Sequence, residues 1–339
     1  MRRSYFAEAL PEHPALEAWR VLRGARIRAA HVETLKQTAK SQVYRIDGAG
    51  PDGDAVIAKR GRKLLITRER RVYEQILTCL PMPRLRYFGT ISEHAGRFEW
   101  LFLEEAPAEA YSPSVPEHRI AAARWLLCLH VCGARLLDGA WLPDRGPAHY
   151  RRRLEAVRVA IDAQLVQSAT TPEEHGILEA LSATCATFGR RWRKVETICA
   201  EVPATVVHGD FKRTNLRIRN GAEGRALRAF DWANCGWAVP AIDLAGTVCS
   251  ENPFTANPDL DAYCSESGPL QPGFKHSSVA RIAVAGRIFR CLDAIAWELV
   301  WLAGARRSRA RGAAEAWQER PLINLRAYFE ELTRASIEA

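Results

Sequence analysis

The apolar pattern of this chain changes once, across Ala106–Pro116, and that change limits what the chain can fold into. Before it, the apolar runs are short, β-rich and separated by turn residues. Val43-Tyr44-Arg45-Ile46 and Ala55-Val56-Ile57-Ala58-Lys59 flank the Gly/Asp/Pro cluster Asp47 to Asp54, which predicts a hairpin. Tyr87–Ile91 and Phe98–Leu103 predict a second strand pair. Two helices interrupt this part. One is short, over 14–23. The other covers 65–78, with Val72, Ile76 and Leu77 on one face, and Pro81 and Pro83 end it. After Pro116 the period becomes helical over 117–137, 148–167, 173–199, 240–250, 278–305 and 321–337. Three strand-like pieces interrupt it, Thr205–His208, Leu216–Arg219 and Leu227–Phe230. The chain is therefore expected to be α+β. Residues 1–105 form a β-rich lobe with a short helical N-terminal extension, 106–116 a linker, and 117–339 a helical lobe with a β-hairpin inserted.

Composition narrows the class. The 339 residues are 47% hydrophobic and 26% charged, which excludes collagen-like and wholly disordered chains. The length suits two lobes. The formal charge is +9, of which residues 1–105 hold +6, from 19 basic and 13 acidic side chains. Such an excess suits a phosphate-rich ligand and equally a bland soluble surface. It is too spread out to imply a nucleic-acid partner, and none is expected. The nine Cys form no C-x-x-C pair, which argues against a zinc site and a disulfide framework and for reduced thiols in a cytoplasm. The first residues lack the apolar stretch of a signal peptide. The most apolar run, Leu292 to Ala303, contains Asp293 and Glu298, so no membrane association is expected.

The chemistry concentrates in Val206-Val207-His208-Gly209-Asp210-Phe211-Lys212-Arg213-Thr214-Asn215. This segment lies between two apolar runs, so His208 to Asn215 form the loop joining them. An Asp and an Asn five residues apart on such a loop suit phosphoryl transfer. The carboxylate orients an acceptor hydroxyl and takes its proton, and the amide oxygen is a neutral hard ligand for Mg²⁺. Asp231 ends the next apolar run, in Ala229-Phe230-Asp231-Trp232. If the two runs pair as a hairpin, Asn215 and Asp231 meet at one end of it as two oxygen ligands.

These residues resemble the motifs of the aminoglycoside phosphotransferase and choline kinase superfamily, which has a bilobal protein-kinase-like fold. The motifs are His208-Gly209-Asp210 with Asn215, then Asp231-Trp232, then Asp243-Leu244-Ala245. The resemblance implies a small β-rich N-lobe that binds nucleotide and a larger helical C-lobe with the catalytic loop and acceptor site. It implies that Asp210 is the catalytic base and that Asn215 and Asp231 hold Mg²⁺. Lys59 would grip the α- and β-phosphates of ATP or GTP, and Glu69 would pair with that lysine. Glu104 and Ala106 fall where such kinases read the base edge through backbone groups. His208 and Asp243 would support the catalytic loop. Thr38-Ala39-Lys40-Ser41 stands in place of a glycine-rich loop, with Ser41 or backbone N–H groups facing the phosphates. Lys212 is placed, as in many protein Ser/Thr kinases, to meet the γ-phosphate. The implied reaction moves the γ-phosphate to a hydroxyl of a small molecule, an antibiotic or related natural product. Choline, a fructosamine or a sugar is the metabolic alternative, and a non-catalytic nucleotide-binding scaffold is a third reading.

Structural readings stand beside several residues. Glu74 lies near Glu69 and competes as partner of Lys59. Lys59 itself falls in a basic cluster with Arg60, Arg62 and Lys63. His130 on an apolar face reads as a core histidine. The run from Arg306 to Arg311 reads as a solvated helix end. Trp297, Trp301 and Trp317 read as helix packing. Glu251, Asp259, Asp261 and Glu266 read as a solvated acidic loop or as a surface for a cationic acceptor.

Overall fold

The computed structural model describes residues 4–5, 13–24, 31–38, 41–106, 109–136, 141–167, 171–221, 224–246, 255–267, 275–309 and 320–338. The chain forms two compact units. One comprises residues 1–110 with 215–234, and the other 111–214 with 235–339. The hairpin that interrupts the helical half in sequence thus groups by contact with the β-rich unit.

The first unit is built on a six-stranded antiparallel sheet in the order β1-β2-β3-β4-β6-β5. Its strands are β1 (Ser4–Tyr5), β2 (His31–Gln37), β3 (Ser41–Asp47), β4 (Val56–Arg62), β5 (Tyr87–Ser92) and β6 (Phe98–Glu104). The hairpin expected around Asp47–Asp54 is β3–β4, closed by Gly50 N–H donating to Asp54 O at 2.8 Å. Helix α1 (Pro14–Arg23) begins where His13 accepts from Ala15 N and Pro14 supplies a pre-set φ. It buries Ala15, Leu16 and Trp19 against Val32, Ile46, Val56, Ala58 and Phe102. Each large side chain in that cluster stabilises by about 1.5–3 kcal/mol. The Trp19 indole also donates to Ala49 O at 3.1 Å, so its polar atom is satisfied.

Helix α2 (Lys63–Arg71) covers the start of the helix expected over 65–78. At Val72–Ile76 the pitch widens to a π-helical turn, and Leu77–Cys79 tightens to a 3₁₀ turn before Pro81. Val72, Ile76 and Leu77 are buried, as their spacing requires. A three-stranded sheet completes this unit, with β7 (Glu109–Ala110), β9 (Leu216–Gly221) and β10 (Gly224–Ala229) in the order β10-β9-β7.

The second unit is helical. It contains α3 (Pro116–Gly133), α4 (Pro147–Leu165), α5 (Pro172–Arg190), α6 (Trp192–Cys199), α7 (Ala241–Leu244), α8 (Leu260–Ser267), α9 (His276–Arg309) and α10 (Arg320–Glu338). The expected single helix over 173–199 breaks at Arg191, where ψ is 5° and the chain turns. The α5 start is fixed by a capping box, Thr171 with Glu174. The helix expected over 240–250 is described only as Ala241–Leu244, and 247–250 lie outside the described residues. The strand at Thr205 is β8 (Thr205–Val207). It pairs with β11 (Gly236–Ala238), which the sequence pattern did not reveal.

Two expectations need correction. Trp297 and Trp301 do not pack in the core. They are 55% and 48% exposed on α9 and meet edge to face at 6.4 Å. Trp317 lies outside the described residues. Arg306 is not part of a solvated helix end. It is 3% exposed, with Nε donating to Glu174 at 3.1 Å and Nη1 to the Gln164 carbonyl and side-chain oxygens. Partners on α4 and α5 draw the charge inward, where pairing offsets desolvation. Arg307 is exposed, and Ala310 and Arg311 lie outside the described residues.

Helix α9 is the spine of this unit. Ile282, Ala285, Ile288, Phe289, Leu292 and Ile295 are buried along it, and Phe289 stacks on Tyr150 of α4 at 4.0 Å. α7 seats directly on it, because a Cβ at Gly286 would stand 1.8 Å from Ala241 O. Alanine in a helix interior is normally better than glycine by about 1 kcal/mol. Here the sign reverses. Gly286→Ala should destabilise the protein by about 2–3 kcal/mol through overpacking, read as a lower Tm. A raised Tm would show that α7 does not sit on this glycine.

Candidate functional site

Within the β-rich unit, Lys59 lies on β4 between Val43 of β3 and Leu101 of β6, so its backbone is held on both sides. Its Nζ donates to the Glu69 carboxylate on α2 and to Asp231 Oδ1 at 2.7 Å. Glu69 is 1% exposed. Burial pushes its carboxyl up to about 7; Lys59 opposes that shift and Asp231 adds to it. For Lys59, burial alone would lower the pKa. The two carboxylates outweigh it and hold the ammonium charged, well above its ordinary value. Glu74 is not the partner of Lys59. It points away and accepts from Tyr87 Oη at 3.0 Å.

Asp231 is placed by the β9–β10 hairpin. Leu216 pairs with Ala229, and Phe230 N–H donates to Asn215 O at 3.1 Å. Asn215 and Asp231 therefore flank the same end of the hairpin, as the spacing of the two apolar runs required. Asp231 has φ 66°, a left-handed conformation costly for a side chain with a Cβ. Trp232, fully buried behind it, and Arg68 of α2, which donates to Ala233 O at 2.7 Å, hold that turn. Together Asn215 and Asp231 offer an amide oxygen and a carboxylate, donors of the kind a hard cation takes. Among the described residues no group of three or more His, Cys, Asp or Glu forms a separate metal site.

The remaining candidates of this unit lie at strand ends. Ser41 starts β3, and its N–H donates to Thr38 Oγ1 at 3.0 Å. Ser41 Oγ is buried and has no hydrogen-bond partner among the described residues. Ala39 and Lys40 lie outside the described residues. Glu104 ends β6 and donates its N–H to Arg86 O at 2.9 Å, and Ala106 follows it half-buried.

Within the helical unit, β8 leads into the loop that begins at His208. Gly209 has φ 74°, which its lack of a Cβ permits. The Asp243 carboxylate on α7 accepts from His208 N–H at 2.6 Å and Gly209 N–H at 2.9 Å. His130 Nε2 stands 3.4 Å from the same carboxylate, and its Nδ1 is 3.0 Å from Tyr263 Oη. Burial would raise the Asp243 pKa; hydrogen bonding and charge from His130, aided by His208, lower it. His130 is thus a fully buried histidine with both nitrogens engaged. His208 is also fully buried, and its Nδ1 accepts from Asp210 N–H at 3.3 Å. Phe211 packs edge to face against the His208 ring and stacks on Trp125.

The Asp210 carboxylate faces two cations. Lys212 Nζ is 2.8 Å from Oδ2, and Arg290 Nη1 of α9 is 3.5 Å from Oδ1. Arg290 was not singled out from the sequence. The available signal was a charge set between the buried Phe289 and Cys291 of an apolar helix. The downstream acidic residues are partly engaged elsewhere. Asp259 caps α8 by accepting from Ala262 N–H at 2.9 Å and stands 3.7 Å from Arg119. Asp261 pairs with His276 at 2.7 Å. Glu251 and the Glu266 side chain lie outside the described residues.

The buried lysine gives a direct stability test. Lys59→Met should cost about 3–5 kcal/mol, because it leaves Glu69 and Asp231 without their cation. Adding Glu69→Gln should recover part of that loss in urea unfolding. Equal stability of Lys59→Met and the unsubstituted protein would show that the pair is not formed.

Residues 31–270 match the phosphotransferase enzyme family. Sequence comparison with curated proteins gives no match. Among solved structures, an aminoglycoside 2″-phosphotransferase in complex with GDP and kanamycin superposes with a TM-score of 0.61 at 11% identity, covering 94% of this chain and 98% of that one. An ethanolamine kinase from Plasmodium vivax gives 0.58 at 12%, covering 90% and 81%. A choline kinase from Cryptosporidium parvum Iowa II gives 0.56 at 12%, covering 89% of each chain. The fold is thus α+β, bilobal and kinase-like. No helix among the described residues is long and apolar enough to cross a membrane. The chain belongs to the phosphotransferase enzyme family and is an enzyme that phosphorylates a hydroxyl group.

Proposed function

We propose that this enzyme transfers the γ-phosphoryl group of ATP or GTP to a hydroxyl of a small molecule, with an antibiotic or related natural product as the leading acceptor class. The observation that carries the reading is the Lys59 ammonium held between Glu69 and Asp231. Glu69 is buried in its pair with Lys59, whereas Asp231 is 33% exposed and presents its carboxylate at the end of the hairpin beside Asn215. Asn215 and Asp231 are the residues that would hold Mg²⁺. When bound, Mg²⁺ neutralises charge on the nucleotide phosphates. Lys59 contacts the α- and β-phosphates, and Glu69 keeps it oriented. The Ser41 hydroxyl faces the phosphates, since its N–H is held by Thr38, and the backbone at Glu104 and Ala106 meets the base edge.

Asp210 orients the acceptor hydroxyl. The acceptor oxygen forms a bond to the γ-phosphorus, and the bond from that phosphorus to the bridging oxygen breaks. The nucleoside diphosphate leaves, and the hydroxyl proton passes to Asp210. Lys212, now on Asp210, turns to the γ-phosphoryl as charge moves off it. Most of the acceleration comes from positioning and electrostatics. The GDP in the superposed aminoglycoside enzyme supports keeping GTP beside ATP as donor.

A second reading has comparable structural support. The choline and ethanolamine kinases superpose nearly as well as the aminoglycoside enzyme, which supports a metabolic amino-alcohol as the second acceptor class. The test is Mg²⁺-dependent transfer of labelled γ-phosphate from ATP and GTP to a panel of aminoglycosides, macrolides, nucleoside antibiotics, choline, ethanolamine and sugars. Asp210→Asn should lower kcat by about 10²–10⁴-fold with nucleotide affinity retained. Undiminished transfer by Asp210→Asn would remove Asp210 from its role. Nucleotide binding with no transfer to any of these acceptors would overturn both acceptor classes.

A further inference from the structure

Resting on the reading above, we propose that Arg290 is the positioning residue of the reaction, the group that sets the direction of the Asp210 carboxylate towards the acceptor hydroxyl. Its three kinds of nitrogen are all engaged. Nε donates to Ile242 O at 3.2 Å, Nη2 donates to Phe211 O at 2.9 Å, and Nη1 stands 3.5 Å from Asp210 Oδ1. The Arg290 side chain is 13% exposed and rises from α9, whose neighbouring residues Phe289 and Cys291 are buried. Ile242 adjoins Asp243, which holds the start of the same loop, and Phe211 adjoins Asp210. One planar group thus links the helix that supports the loop, the loop backbone and the reactive carboxylate.

The two cations on Asp210 differ in kind. Lys212 is a flexible point charge on the loop itself, 34% exposed. If it moves to the transferring phosphoryl group, Oδ2 loses that partner while Arg290 stays on Oδ1. Arg290 cannot follow, because two carbonyl oxygens fix its plane. Lysine can replace it only in part, since an ammonium keeps the charge but lacks the fixed fork that reaches both carbonyls and the carboxylate together. The rest of the loop is already held. Asp243 accepts from its first two N–H groups, and the Lys212 backbone bridges to Thr255. Loss of Arg290 should therefore leave the loop in place and free mainly the carboxylate.

The experiment uses the full chain with Arg290→Met and Arg290→Lys. Turnover is measured with the acceptor found in the panel, and also without one, with water in place of the hydroxyl as the probe. Rates are normalised to the fraction that binds nucleoside diphosphate. A displacement of the carboxylate by about 1 Å should lower kcat by roughly 10–100-fold in Arg290→Met. Nucleotide Kd should change by less than twofold, and Arg290→Lys should recover part of the loss. Normalised kcat within twofold of the unsubstituted enzyme in Arg290→Met would overturn the proposal and leave the phosphotransfer reading standing. A loss that appears only in folded fraction, or equally in nucleotide Kd, would also overturn it by reducing Arg290 to a structural residue. An unsubstituted enzyme that neither transfers nor hydrolyses would overturn the reading itself, and this inference with it.

Discussion

A fully buried carboxylate, Asp243, organises the helical unit. An ionised group removed from water is tolerable only when hydrogen bonds and opposite charge replace its hydration. Asp243 meets that demand with the N–H groups of His208 and Gly209 and with His130. Each partner recruits further structure. His130 ties α3 to Tyr263 on α8, and Gly209 needs its positive φ to present its N–H. α7 must also sit close enough to α9 that position 286 cannot carry a Cβ. The loop bearing Asp210 therefore takes its shape from the solvation needs of a residue 33 positions away in sequence.

The β-rich unit solves a related problem with the opposite sign. Lys59 is held by sheet hydrogen bonding and can remain charged only because carboxylates approach it from two elements. Glu69 arrives on α2, and Asp231 arrives at the end of a hairpin in a left-handed conformation. Strain of that kind persists where the surroundings over-determine it. Here the buried Trp232 and the clamp from Arg68 to Ala233 O supply the constraint. The two carboxylates differ in setting: Glu69 is buried in the pair, and Asp231 is one-third exposed.

Much of this was legible in the sequence because it depends on local pattern. The β3–β4 hairpin is announced by its turn residues, and the meeting of Asn215 and Asp231 by the pairing of the two apolar runs between them. What was not legible depends on distant partners. β2 hides because its Glu33, Lys36 and Gln37 blur the period-2 signal, and β7 and β11 are too short to show one. α8 is hidden because Asp259 and Asp261 suggest a solvated loop, whereas Asp259 caps that helix. Arg306 looked like one charge in a basic run. Its burial follows from Glu174, 132 residues earlier. The exposure of Trp297 and Trp301 is likewise a property of what packs on α9, not of the helix itself.

The charges on α9 explain why that helix has no clean polar face. Arg287 reaches Glu331 and Glu338 on α10, Asp293 reaches Arg153 on α4, and Arg306 reaches Glu174 on α5. Each crosses to a different element, so these side chains act as links between helices rather than as a solvated surface. Such a helix is amphipathic by partner rather than by stripe, and periodicity cannot detect it. Arg290 belongs to the same series, with a loop and a carboxylate in place of a helix as its target. The helix that holds the core of this unit together therefore also delivers a fixed cation to Asp210. Packing changes along α9 should reach the Asp210 carboxylate through Arg290.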